Sequence, residues 1–599
     1  MNKRNADYLF EISWEVCNKV GGIHTVIRSK ASQSKKTYKG NYYVIGPYFH
    51  EKAVAEFQER IPPDLFMKIF ESLKHEGIIC RYGKWLIEEE INTILIDYQG
   101  YSHRNNDIKA RLWETYKIDS LGTNFYDFDE PIIWSTAVGR FLEKVLESKA
   151  FKNKKMVAHF HEWMSCGGLL YLKRKGVKIG TVFTTHATML GRTLAANNVD
   201  LYRHMDKVDP QKEAYKWELH PKHQVEKASA KESDVFTTVS EITAIEAEKI
   251  LGKKPDLLLY NGLNIDHYPS LDEISIYHRQ YRERMRDFLR YYFFPYYSFD
   301  VNNSLIYFIS GRYEFRNKGI DIFIEALSRL NKRMKREGSK KTIVAFFWIP
   351  RDVIRIKPEL SHARAYFEDV VESVDNDLED IRKNIIDNLL SQRRLSKRHL
   401  FSEKFLIETR KKVFRFLRKE GNPPTCTHDI PDEGKDLILQ HFKKCGLLNR
   451  KEDKVKVILY PIYLTGADNL LDLNYKESIL GSHLGVFPSF YEPWGYTPLE
   501  TAALGVASIT TDLGGFGRCM LENPTWKNEG IFVVDMFNKS RGKKVSNLYE
   551  ILYRFSKLSK KERIENKVEA HRLASLVDWN ILIENYIKAH NLAVERAYP

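Results

Sequence analysis

A chain of 599 residues is long for a single hydrophobic core and points to two or more domains. Its 43% hydrophobic content is that of an ordinary globular protein, and no apolar run of about 18 residues occurs, so no membrane-spanning helix is expected. The net charge of +15 is spread over 94 basic and 79 acidic residues, without the compact basic and aromatic module of a nucleic-acid binder.

The first strand reads YLFEIS (8–13) and runs into WEVCNKVGGIHTVIRSK. A strand, then Gly21-Gly22, then a helix lets backbone amides and the helix's positive end approach an anion. Lys19 beside the glycines adds a full positive charge, although a lone Gly-Gly is more often a plain tight turn. Further strands are read at YYVIG (42–46), NTILID (92–97), MVAHF (156–160), GTVFTT (180–185) and DVFTTV (234–239). The run HFHEW (159–163) follows MVA directly, with His159 and His161 on one face of the strand. The pair invites a metal, but no third ligand stands at familiar spacing, and a packed, hydrogen-bonded histidine is an equal alternative. The next strand ends in THATMLGR (185–192), which brings His186 and Arg192 to the same carboxyl edge, where α/β folds place ligand contacts.

A second strand series follows a break near residues 265–300: SLIYFIS (304–310), TIVAFFW (342–348), VKVILY (455–460), LGVFP (484–488) and VASITT (506–511). The turn-forming Asn-Gly of YNGLN (260–264) makes a hinge there plausible. The expected division is an amino-terminal domain over 1–265, a carboxyl-terminal domain over 266–575, and a helix over 576–599 packing back on the first domain. A charged stretch from about 350 to 454 reads as a helical insertion in the second domain, with Leu406, Val413, Phe416 and Leu417 at helical spacing. After SLIYFIS comes GRYEFRNKG (311–319), where Arg312 and Lys318 can converge to neutralise a diphosphate.

The stretch YEPWGYTPLE (491–500) leaves the LGVFP strand and sets two carboxylates eight apart. Thr497 is expected as helix N-cap, with Pro498 in the first turn and Glu500 completing a capping box. The functional reading has Glu492 and Glu500 accept hydrogen bonds from hydroxyls while the helix start takes a phosphate between them. A nucleotide sugar has that layout. The six cysteines lack C-x-x-C spacing, and MNKRNADYLF lacks a secretory signal's apolar stretch, so a cytoplasmic setting without disulfides or zinc is expected.

Five motifs in order, K-V-G-G-I, H-F-H-E-W, T-H-A-T-x-L-G-R, G-R-Y-E-x-x-N-K-G and E-P-W-G-Y-T-P-x-E, resemble the glycogen synthases of animals and fungi over nearly the whole chain. The resemblance implies an α/β protein with two Rossmann-like domains across a deep cleft, the B-type glycosyltransferase fold. It implies transfer of glucose from UDP-glucose to the non-reducing 4-hydroxyl of an α-1,4-glucan such as glycogen, with retention of configuration. By the same resemblance, Glu500 binds the ribose, Glu492 the transferred glucose, and Arg312 and Lys318 the leaving diphosphate. Trp494, Gly495, Tyr496 and Thr497 supply the loop and amides at the phosphates, and Tyr475 stacks on uracil. Gly21, Gly22 and Lys19 face the donor from the opposite domain, while His161 lies against the glucose. His186 and Arg192 complete that rim. No cofactor or metal is expected, and the insertion matches the family's intersubunit helices, which implies a homo-oligomer, a tetramer.

Regulated members carry an arginine-rich helix for glucose 6-phosphate. The matching stretch here, KKERIENKVEAHR (560–572), keeps Lys560, Lys561, Arg563, Lys567 and Arg572 but places Glu569 where an arginine belongs. Lysine lacks arginine's bidentate fork and a carboxylate repels phosphate, so weak or absent activation is the expectation. The alternatives are another two-domain nucleotide-sugar glucosyltransferase, separable by its product, and a catalytically dead glucan-binding scaffold.

Overall fold

The computed structural model describes residues 4–123, 125–393, 395–417, 420–522 and 529–599. Two sheets organise it. In the first, strands β1 (Tyr8–Ile12), β2 (Tyr42–Pro47), β3 (Phe57–Glu59), β4 (Ile79–Leu86), β5 (Glu90–Asp97), β6 (Met156–His161), β7 (Gly180–Thr185), β8 (Val235–Thr238) and β9 (Leu257–Leu258) lie in the order β3-β4-β5-β2-β1-β6-β7-β8-β9. All pairings are parallel except β3 with β4 and β4 with β5. The edge strands β3 and β4 were not read from the sequence, unlike β5 (NTILID), because ICRYGKWL mixes charged and apolar residues on a half-exposed strand.

The second sheet contains β10 (Ser304–Ser310), β11 (Thr342–Trp348), β14 (Val455–Tyr460), β15 (Leu484–Val486), β16 (Ala507–Thr511) and β17 (Ile531–Val534). Its order is β14-β11-β10-β15-β16-β17, and every pair is parallel. A two-stranded ribbon, β12 (Arg355–Ile356) with β13 (His428–Asp429), stands apart at the insertion. In both sheets the strands are near-continuous apolar runs because helices cover both faces. In the second, the order reverses between β10 and β15, the crevice where open α/β sheets hold ligands.

Between β12 and β13 the insertion consists of helices Pro358–Asn376, Leu378–Leu390, Lys397–Leu400 and Glu403–Phe416. Few of their apolar side chains are buried: Leu389, Leu390, Ile407 and Phe414 are 60%, 79%, 56% and 69% exposed.

Two strands of chain cross between the sheets and touch. The Leu263 amide donates to the Val577 carbonyl at 3.2 Å, and the Trp579 amide to the Leu263 carbonyl at 3.0 Å. A Cβ on Gly262 would stand 2.8 Å from the Val577 carbonyl oxygen, so this glycine answers a close approach, not the turn its Asn-Gly sequence predicted. Beyond the crossing, the Trp579–Ala597 helix returns to the first sheet, where His590 bonds His159 (Nε2 to Nδ1, 3.2 Å) and Tyr38 (Nδ1 to the hydroxyl, 2.9 Å).

Candidate active site

β10 and β15 deliver the two loops that matter most. The 311–319 loop after β10 ends at Gly319 (φ 67°), which caps the Ile320–Arg336 helix. A Cβ there would lie 2.0 Å from the Pro488 carbonyl oxygen, so glycine is required for the loop to seat beside the end of β15. The Phe490 amide donates to the Asn317 carbonyl at 2.8 Å, joining the two loops. As a result Lys318 Nζ meets Glu492 Oε2 at 2.5 Å, and the Ser489 hydroxyl reaches the same oxygen at 3.4 Å. Lys318, Glu492, Thr497, Ser310 and Thr510 line one small cavity. Arg312 does not join them: its side chain is 82% exposed and pairs with Glu314 at 2.9 Å.

The expected capping box is corrected by the structure. The helix runs Tyr496–Ala503 with Gly495 as N-cap (φ 115°), so Thr497 sits inside the first turn and its carbonyl accepts from Thr501 Oγ1 at 2.8 Å. Glu500 is therefore released from capping. Burial pushes its carboxyl up to about 7, against the opposing pull of Lys476. Tyr475 and Tyr268 lie close enough for Glu500 to raise both phenols further above their burial-shifted values. The Tyr475 hydroxyl bonds Ser310 Oγ at 3.2 Å. Lys476 lies 5.0 Å from the centre of the Tyr268 ring. Trp494 is buried and stacks on Tyr260 at 5.4 Å, walling the loop from behind.

Residues the motifs did not single out hold this loop. The Gly515 amide donates to the Glu492 carbonyl at 3.0 Å and the Phe516 amide to the Trp494 carbonyl at 2.7 Å. A Cβ on Gly515 would lie 2.2 Å from the Pro493 carbonyl oxygen. The readable signal was the glycine cluster LGGFG (513–517) directly after a strand.

The first domain contributes differently from expectation. Gly21 and Gly22 do begin the Gly22–Tyr38 helix, but the Glu15 carboxylate already occupies its anion cradle, accepting from the Gly21 amide at 2.8 Å and the His24 amide at 2.9 Å. Lys19 is exposed beside it. The His161 ring is fully buried: Nε2 bonds Glu11 Oε1 at 2.8 Å and Nδ1 bonds His186 Nε2 at 3.0 Å. Burial raises the Glu11 carboxyl, but Lys30 and His161 overcome this and hold it well below the carboxylate range. Ionised Glu11 accepts from His161 Nε2, which assigns the proton to that nitrogen. Burial keeps His161 and His186 neutral. The His161 ring is thus held by Glu11 and His186 of its own domain and is 1% exposed.

Glu11, His159 and His161 are also the missing three-ligand set: the third group comes from the neighbouring strand, invisible to linear spacing. Lys30 bonds Glu11 directly, so this carboxylate already has an ammonium partner. Glu162, at φ 63°, reaches back along the next turn and accepts from the amides of His186 (3.0 Å) and Ala187 (3.2 Å), with Arg192 at 3.5 Å. Arg192 is half-exposed at the rim of the first domain.

A separate 830 Å³ cavity gathers Lys341, His278, Arg282, His483, Arg563 and Lys567. Lys560 lines it too, while Lys561 pairs outward with Glu565 and Arg572 with Glu569. Glu569 is thus engaged by Arg572 and lies outside the residues lining the cavity. Burial, then Arg282 and Arg563, push the Lys567 ammonium well below its usual value.

A model of the glycogen synthase family matches residues 11–599. The chain is 38% identical over 594 residues to glycogen (starch) synthase of Dictyostelium discoideum, covering 99% of this chain and 67% of that protein. It is 38% identical over 598 residues to the liver glycogen (starch) synthase of Homo sapiens, covering 99% and 84%. Its fold is shared by the catalytic domain of starch synthase IV from Arabidopsis thaliana bound to ADP and acarbose, with TM-score 0.50 and 13% identity over 99% of this chain and 100% of that one. With a family model spanning all but its first ten residues and relatives aligned over 99% of it, the chain belongs to the glycogen synthase family, hexosyltransferases of the B-type fold.

Proposed function

We propose that the protein transfers glucose from UDP-glucose to the non-reducing 4-hydroxyl of an α-1,4-glucan, with retention, elongating glycogen in the cytoplasm. The observation that carries the reading is the Lys318–Glu492 pair at the switch point of the second sheet, beside the start of the Tyr496–Ala503 helix. Glycosyl transfer passes through an oxocarbenium-like state while a diphosphate departs. A preorganised ammonium and helix amides at the departing oxygens stabilise that charge without reorganisation. Arg312, extended to solvent from the same loop, would add its charge by folding inward over the bound phosphates. Glu492 would hold the glucose hydroxyls, and Glu500 the ribose, with Tyr268 and Tyr475 about the base.

No carboxylate lies free beneath the sugar site among the described first-domain residues named above: Glu11, Glu15 and Glu162 are each committed to protein hydrogen bonds. This supports attack from the face of the leaving phosphate, which takes the acceptor proton, over a covalent glycosyl intermediate. Domains 1–265 and 266–575, with 576–599 returning, would close about the 263/577 crossing to exclude water. The cavity lined by Lys341, Arg282, Lys560, Arg563 and Lys567, with Asp272 and Glu283 also in its wall, is where a sugar phosphate would act, and weak or absent activation remains the expectation. The apolar exposure of the insertion supports assembly into a tetramer.

The test is incorporation of labelled glucose into glycogen from UDP-glucose, with and without glucose 6-phosphate. Lys318→Ala should lower kcat about 10²–10³-fold. Equal incorporation by both proteins would overturn the role of Lys318, and no incorporation from any nucleotide donor would return the scaffold alternative.

A further inference from the structure

Glu492 lies between two residues that are bonded to the other domain. On one side, the Tyr491 hydroxyl donates to Glu246 Oε1 at 3.1 Å. On the other, the Pro493 carbonyl accepts from Ser240 Oγ at 2.7 Å and from Thr243 Oγ1 at 3.4 Å. Glu246 and Thr243 belong to the Glu241–Leu251 helix of the first domain, and Ser240 is its N-cap. The Tyr491 ring is buried and stacks on Tyr202 at 6.0 Å with an 18° interplanar angle.

Glu246 is a junction. Besides Tyr491 it accepts from the Thr188 amide (2.9 Å), the Thr188 hydroxyl (2.6 Å) and the Tyr202 hydroxyl (3.1 Å). Thr188 is the N-cap of the Met189–Ala196 helix, which carries Arg192. One fully buried carboxylate therefore ties the helix bearing Arg192 in the first domain to the loop bearing Glu492 in the second. Four donors saturate it, which is how a buried carboxylate is tolerated at a domain seam.

We propose that Glu246 and Tyr491 are positioning residues for glucosyl transfer: their hydrogen bond sets the register of the Arg192 helix against the Glu492 loop, so that the reacting geometry is complete only when the domains are docked. The inference rests on the proposed transfer reaction and on the principle that a misplacement of about 1 Å at a reacting centre costs about 10²-fold in rate. The nucleotide half of the site, around Glu500, Tyr475 and Lys318, lies wholly in the second domain. Binding of the nucleotide is therefore independent of this bond, whereas the placement of the glucose at Glu492 and its transfer depend on it.

The test uses the full chain with UDP-glucose and a maltooligosaccharide acceptor. Tyr491→Phe removes one hydroxyl and keeps the ring stacked on Tyr202; Glu246→Gln keeps the shape and removes the charge. Expected for Tyr491→Phe is a fall in kcat of about ten-fold, with the KM for UDP-glucose within two-fold of wild type and an unchanged melting temperature. The fraction of donor lost to water should rise, and the double variant should be no slower than the worse single one, because the two groups act as one unit. Wild-type kcat in Tyr491→Phe overturns the proposal, as does a loss of kcat matched by equal losses in donor KM and melting temperature. Failure of the wild-type protein to transfer glucose at all would instead strike the reaction itself.

Discussion

At the residue scale the decisive group is Glu500. Its position in T-P-L-E looked like a capping glutamate, yet the helix begins two residues earlier, at Tyr496, and leaves the half-buried carboxylate with no cap to serve. Its carboxyl is pushed up to about 7 by that burial. At the proposed ribose contact only the ionised form would accept from both hydroxyls, so the KM for UDP-glucose should rise as pH falls below about 7. The effect on folding has the opposite sign. A carboxyl raised above its unfolded value of roughly 4.3 adds stability below that pH, which is lost as pH rises through about 7. Glu500→Gln should flatten the pH profile of the donor KM between pH 6 and 8 while raising that KM at pH 8; an unflattened profile would remove Glu500 from the ribose site. His161 carries the contrasting lesson. Its place at a strand's carboxyl edge was legible, but the direction of its ring was set by Glu11 and His186, which arrive from other strands.

At the scale of elements, short backbone segments are held by glycines whose missing side chains make room for other segments. Gly495 at φ 115° starts the Tyr496–Ala503 helix, whose first-turn residues Thr497 and Pro498 line the cavity shared by Lys318 and Glu492. Gly495→Ala forces a side chain into a left-handed conformation, at a cost of about 1–2 kcal/mol. The expected outcome is a lower melting temperature together with a rise in the KM for UDP-glucose. An unchanged donor KM in a destabilised protein would show that the helix start does not touch the phosphates. The strands were legible because both sheets are buried on both faces and read as continuous apolar runs: SLIYFIS, TIVAFFW and VKVILY coincide with β10, β11 and β14. The half-exposed edge β3–β4 and the short β9 lack that signal.

At the scale of the whole molecule, the insertion is the part whose surface is unlike the rest. Helices Leu378–Leu390 and Glu403–Phe416 each bury a single side chain, Asn388 and Phe405, while Leu389, Leu390 and Phe414 stand open to solvent. Exposed large apolar side chains grouped on one insertion support the proposal that it is an interaction surface. If the proposed tetramer forms through this insertion, Leu389→Asp with Leu390→Asp should reduce the mass measured by sedimentation to a smaller species, with the second sheet still folded. A wild-type mass in that variant would place the contacts elsewhere. The sequence marked this insertion by its charge and its helical spacing, but the exposure of its apolar residues is a property of the packed chain alone.

Sequence alone determined the two series of parallel strands, the loops at their carboxyl ends, and the family, because apolar runs and contiguous motifs are local properties of the chain. Tertiary structure decided which of those motif residues meet. Lys318 reaches Glu492 across 174 positions and Tyr491 reaches Glu246 across 245, while Arg312, six residues from Lys318, turns to solvent. The physical reason is that a salt bridge or hydrogen bond is fixed by where two backbones are packed. Spacing along one backbone does not specify that.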